Sequence, residues 1–262
     1  MQNMLAVYKR ELGSYFTSQI FYIISAVFIF VIGNMYKNVF FEFAQKSMQL
    51  LKYAWNYGDA NLNFINVNVV SMQTFQYMNF ILLLIVPLLT MRLYAEEKKS
   101  GTMELLMTSP ITTTQVLIGK FLSCFTIYSF MVMLTVAFMV ILNIQANGQL
   151  DVRPVLSSYA GTLLLGAALI PIGMFASSLT ENQIIAAVIS LSIMLGLWVL
   201  IFSSQFFNPP YNELVAFISL PEHLESFSLG FIGVKHIVYY ISMSLFWLVL
   251  TGLSVESARW RQ

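Results

Sequence analysis

Six predominantly apolar runs divide the chain: Ile20–Met35, Phe75–Leu93, Phe121–Ile144, Val155–Phe175, Ile184–Phe202 and Ile237–Leu253. Each reaches or approaches the roughly 17–25 residues that a helix needs to cross hydrocarbon. The first run is short, which predicts an extension into Phe16–Gln19 or Tyr36–Phe41. Pro87 and Pro171 fall inside two of the runs, and lipid-embedded helices accept proline where neighbours satisfy the freed carbonyl.

Residues 1–18 follow a different pattern. Met4, Leu5, Tyr8, Leu12, Tyr15 and Phe16 fall in one arc of about 120° at helical spacing, with Lys9-Arg10 outside it. This predicts an amphipathic helix lying in the membrane interface, against the alternative of a surface helix packed on protein. The first span carries no cleavage pattern after it and reads as retained.

The connections are unequal. Residues 36–74 form a long polar and aromatic segment, expected to be extracytoplasmic, and Asn147-Gly148 marks a short turn on the same side. Ser177–Gln183 is a tight inner turn. Residues 203–236 are apolar for a loop. In them Ser219 reads as an N-cap, with Pro221 in the first turn and Glu222 three residues after the cap, and Gly230 and Gly233 as the stop. Apolar helices too short to span point to re-entrant or interface-lying structure. The inner connection 94–110 reads as a short helix capped by Ser100 or Thr102, with Met103, Leu105, Leu106 and Met107 on one side and Pro110 at its end. Thr112-x-x-Gln115 is a capping box that starts the next helix. Such a helix either docks into a cleft on a soluble partner or packs on the bundle.

Composition agrees with this pattern. Of 262 residues, 58% are hydrophobic and 10% charged, well below the approximately 25% charged of a soluble domain. Net charge is +1, which gives no field for nucleic acid. Lys9, Arg10, Arg92, Lys98, Lys99, Lys120, Arg259 and Arg261 fall on one side of a six-span topology, and Lys37, Lys46, Lys52, Arg153 and Lys235 on the other. The positive-inside bias therefore places both termini in the cytoplasm.

Little chemistry is visible. The single cysteine, Cys124, excludes an intrachain disulfide. Gly119-Lys120 is followed by Phe121 and lacks the upstream glycine of a phosphate-binding loop. No nucleophile–base set or His-Glu-x-x-His motif occurs. His223 and His236 read as polar interface residues before metal ligands, and the fifteen methionines as packing material before a copper site. The spans hold almost no charge, and Arg92 and Lys120 are expected to snorkel from their inner ends. Ser158, Thr162, Gly166 and Gly173 form a small-residue stripe on the fourth span. It serves either to pack two subunits or to pack helices within one.

Several motifs together resemble a known family. Met91-Arg92, Glu96-Glu97, Gly101-Thr102-Met103-Glu104-Leu105-Leu106 and Thr108-Ser109-Pro110 resemble the ABC-2-type permeases, in particular the branch of gliding-motility and nitrous-oxide-reductase-maturation permeases. Pro221-Glu222-His223-Leu224-Glu225-Ser226-Phe227 with Gly230, Ser254-Val255-Glu256-Ser257 and Tyr8-Lys9-Arg10-Glu11-Leu12 continue the likeness. Only 36–74 does not align. The resemblance implies one all-α transmembrane domain over 1–262. It comprises an interfacial helix, six spans, a coupling helix that meets the ATPase through Glu96, Glu97, Gly101–Met107 and Pro110, and re-entrant helices before the last span. It also implies a dimer of permease subunits (homodimer or with a paralogue) in the bacterial inner membrane. Two separate P-loop subunits would bind ATP and magnesium, leaving no catalytic residue, metal or cofactor in this chain. Export of a substrate, or delivery of force to an extracytoplasmic partner without translocation, are the two functions this plan allows.

Overall fold

The computed structural model describes residues 2–57, 66–102, 111–203, 206, 208–209 and 211–259. Among them every regular element is a helix: α1 (Gln2–Thr17), α2 (Gln19–Tyr57), α3 (Asn68–Thr90), α4 (Arg92–Lys99), α5 (Thr113–Leu134), α6 (Val136–Gln145), α7 (Val152–Leu179), α8 (Gln183–Ser203), α9 (Tyr211–Ile218), α10 (Leu220–Ser228) and α11 (Val234–Arg259). Six stretches are long and apolar enough to cross a membrane: Gln19–Tyr53, Asn68–Lys99, Thr113–Gln145, Val152–Leu179, Gln183–Ser203 and Val234–Ser257. The protein is a polytopic α-helical membrane protein.

Helix α7 is the axis of the bundle, touching α3, α4, α5, α8, α10 and α11. Of its most apolar window 72% is buried within the chain, against 17% for α8 and 22% for α2 and α11. These three outer helices therefore offer their apolar faces to lipid or to another protein. The small-residue stripe of α7 explains its central place, because small side chains let helices approach where lipid provides no hydrophobic drive. A Cβ on Gly166 would lie 2.1 Å from the Tyr128 ring of α5, and one on Gly173 would lie 2.0 Å from Thr90 Oγ1 of α3. Thr162 donates to Asn79 Oδ1 of α3 at 2.9 Å, and Ser158 is buried. The stripe thus faces inward. Of the two readings of the stripe, packing within one chain is the one these contacts support.

Residues 36–57, read as the first part of a long connecting segment, continue α2 beyond the extension expected into Tyr36–Phe41, and α3 begins at Asn68. The fall in hydropathy after Met35 marks where the helix leaves hydrocarbon, not where it ends, because no Pro or Gly interrupts 36–57. At about 1.5 Å per residue, its 39 residues extend about 58 Å, close to twice the hydrocarbon thickness of about 30 Å. Helix α1 buries Val7, Glu11 and Tyr15 against the bundle, while Leu5 and Phe16 of the expected arc are exposed. Its protein-facing stripe is rotated from the most apolar one, since it must bring a carboxylate to a lysine.

Candidate functional site

The base of the bundle is organised around Lys120. This residue, expected to reach out to the interface, is only 1% exposed. Its ammonium donates to Glu11 Oε1 of α1 at 2.9 Å and to the Leu93 carbonyl of α4 at 2.7 Å, and lies 3.0 Å from Glu97 Oε1. Two hydrogen bonds and a second ion pair thus hold the ammonium. Arg10 completes the group through one nitrogen, Nη2, which lies 2.8 Å from Glu11 Oε1 and 2.6 Å from Glu97 Oε1. Two cations and two carboxylates leave the cluster neutral, which allows burial at a depth where an unpaired charge would be costly. Burial alone would raise the Glu11 carboxyl, but Lys120 and Arg10 outweigh it and hold the group below its ordinary value. Burial would likewise lower Arg10, and the two carboxylates reverse that.

Helix α4 is also held from α7. The Ser177 hydroxyl accepts from the backbone N–H groups of Tyr94 and Ala95, each at 3.0 Å, and donates to the Met91 carbonyl at 2.8 Å. It thus satisfies first-turn donors that a helix start leaves open. The Lys98 ammonium caps α7 by donating to the Ser178 carbonyl. At its other end α4 stops at Ser100, and Gly101 follows at φ +70°, the left-handed conformation glycine adopts without penalty. A Cβ there would meet nothing within 4 Å, so the demand on Gly101 is conformational and not steric. Across the connection, Thr112 caps α5 in a full capping box with Gln115.

Glu96, Glu97, Gly101 and Thr102 therefore stand at the root of one connection, with Glu97 in the charge cluster and Glu96 exposed. Met103, Glu104, Leu105, Leu106, Met107 and Pro110 lie outside the described residues. The sequence reading missed the parts played by Glu11, Lys120 and Ser177. A lysine at the end of a span facing a helix that carries Arg10-Glu11 was the available signal.

At the opposite end, α9, α10 and the start of α11 enclose a second polar cluster. Pro221 and Glu222 lie in the first turn of α10 as expected, but Ser219 donates its hydroxyl back to Ala216 O at 2.6 Å instead of capping α10. Phe227 packs where Gly161 leaves room, since a Cβ there would lie 2.8 Å from its ring. Gly230, at φ +87°, turns the chain out of α10. His223 Nε2 donates to the Phe217 carbonyl at 2.8 Å, so in the neutral ring Nδ1 accepts, and His236 Nδ1–H donates to it at 2.8 Å. Ser226 then donates to His236 Nε2 at 2.9 Å. The histidines are spent on each other and on backbone, and no group of three potential metal ligands exists among the described residues. Glu222 and Glu225 line a cavity of about 350 Å³ with Gln76, Asn79 and Trp198.

Among protein families, residues 5–248 match the one described as ABC-2 family transporter protein. No curated protein matches the chain. The match takes in the helices that carry both clusters, and an ABC transporter of this kind draws its ATP-binding function from a partner. By a match that spans nearly its whole length, together with six spans, the chain belongs to the ABC-2 family of transporter membrane proteins.

Proposed function

We propose that this permease couples ATP hydrolysis in two separate P-loop subunits to export across the bacterial inner membrane, as a dimer with a second copy or a paralogue, both termini cytoplasmic. ATP and magnesium belong to the partner. The connection 94–110 is the docking element, with Glu104 as its polar contact. The observation that carries this reading is the buried Lys120–Glu11–Glu97 cluster at the root of that connection. A push on the connection reaches α1, α4 and α5 together, because moving α4 alone would strand a buried charge. Ser177 extends the coupling to α7.

A second reading, force delivered to an extracytoplasmic partner without translocation, is favoured by α2. Its projecting half exposes Phe41, Met48, Leu51 and Trp55, the last 90% exposed. The gliding-motility and nitrous-oxide-reductase-maturation branch suits this reading.

The test is to purify the chain together with a P-loop ATP-binding subunit and measure ATP hydrolysis. Glu104→Ala/Met107→Ala is expected to abolish stimulation by the permease and to weaken the complex. Unchanged hydrolysis and binding would overturn the docking role. Stimulation by a candidate substrate favours export, and stimulation by an extracytoplasmic protein alone favours force delivery.

A further inference from the structure

We infer that the junction of α1, α2 and α4 is a binding site for one phospholipid headgroup bearing both a phosphate and an amine. A cavity of about 270 Å³ opens there, between the α1–α2 bend and the α3–α4 bend. Arg92 lines it. The guanidinium lies over the Tyr15 ring at 4.2 Å, yet Nη2 is buried with no hydrogen-bond partner, and Arg92 forms no ion pair among the described residues. The neighbouring cations Arg10 and Lys120 are already paired with Glu11 and Glu97. A guanidinium that lines a cavity and keeps a buried nitrogen without a partner has a donor to spare for a phosphate.

Glu96 also lines the cavity, one helical turn after Arg92 and on the same face of α4, and the two do not pair. The site therefore presents one free positive and one free negative group a short distance apart. A phosphoethanolamine group has that complement, with its phosphate toward Arg92 and its ammonium toward Glu96. Phosphatidylglycerol supplies only the first, and free phosphate lacks both the amine and the chains.

The walls give the reason for a lipid. Ile20, 53% exposed, and Leu88, 42% exposed, flank the cavity on the outer surface of the bundle and continue the apolar face of two spans. Phe21 and Ile24 carry that surface inward beside the charged groups. Ser18, at the bend where the interfacial helix meets the first span, sets the depth at which headgroups lie. This inference rests on membrane embedding alone and not on the transport reading.

Native mass spectrometry of the detergent-purified full chain, with melting curves in the presence of phosphatidylethanolamine, phosphatidylglycerol or inorganic phosphate, tests it. One phosphatidylethanolamine per chain should survive delipidation and raise the melting temperature. Arg92→Ala should weaken retention at least tenfold, and Arg92→Lys should weaken it less. Glu96→Gln, at an exposed position safe for folding, should retain phospholipid but lose the preference for ethanolamine over glycerol. Equal retention by wild type and Arg92→Ala would overturn the site, as would equal stabilisation by inorganic phosphate. Equal binding of the two lipids by the wild-type chain would overturn the assignment of the amine to Glu96.

Discussion

Lys120 on α5 and Glu97 on α4 meet at 3.0 Å, with the lysine side chain 1% and the glutamate 13% exposed. Glu11 reaches the same ammonium from 109 residues away in sequence. Lys120→Met should leave Glu11 and Glu97 sharing Arg10 alone. A buried pair broken from one side loses about 3–5 kcal/mol, so the purified variant should melt much earlier than wild type. Adding Glu11→Gln should recover part of the loss. An unchanged melting temperature for the single variant would contradict the burial of the cluster.

Acid should act on the same group. The folded Glu11 carboxyl sits below its ordinary value, about 4.3. Its contribution is therefore complete above that value and is lost as pH falls through the folded value. Glu11→Gln should flatten this part of the stability profile, measured by melting between pH 7 and 3.5.

Ser177→Ala should remove the acceptor shared by the Tyr94 and Ala95 amides. Buried donors left without partners cost about 1–3 kcal/mol. Amide hydrogen exchange should accelerate at Tyr94 and Ala95, with α11 unaffected. No change in exchange at α4 would show that Ser177 does not hold it.

Gly166→Leu should destabilise the single chain, because even its Cβ would lie 2.1 Å from the Tyr128 ring. Overpacking costs about 1–3 kcal/mol, and more where the neighbour cannot move. Gly13→Ala, with nothing within 4 Å of its Cβ, should leave stability unchanged or slightly raised. A Gly166→Leu chain that melts normally as a monomer but fails to dimerise would return the stripe to the subunit interface.

The paired histidines predict a second pH dependence. The chain from Ser226 through His236 and His223 to the Phe217 carbonyl accepts one added proton if Ser226 turns to become an acceptor, but not two, since both Nδ1 atoms would then be donors. Burial lowers His223, with His236 and Lys235 adding to the effect and the Phe217 carbonyl opposing it. With the folded value depressed, stability is present above the ordinary histidine value, about 6.5, and is lost as pH falls below it. Melting temperature should drop from pH 8 to 5.5 in wild type and less in His223→Gln.

By itself the sequence determined what depends on neighbours along the chain. Apolar run length set the six spans, and the Thr112-x-x-Gln115 spacing set the start of α5. These are local properties: hydration of one helix and caps within four residues. Tertiary structure alone decided what Lys120 does, which face of α1 is buried and where the α7 stripe points. A lysine at a span end reads as snorkelling until carboxylates from two other helices are known to meet it. A small-residue stripe specifies close approach without specifying the helix that approaches. The length of α2 lies between the two cases: its residues favour helix throughout, but hydropathy reports the solvent around a helix and not its end.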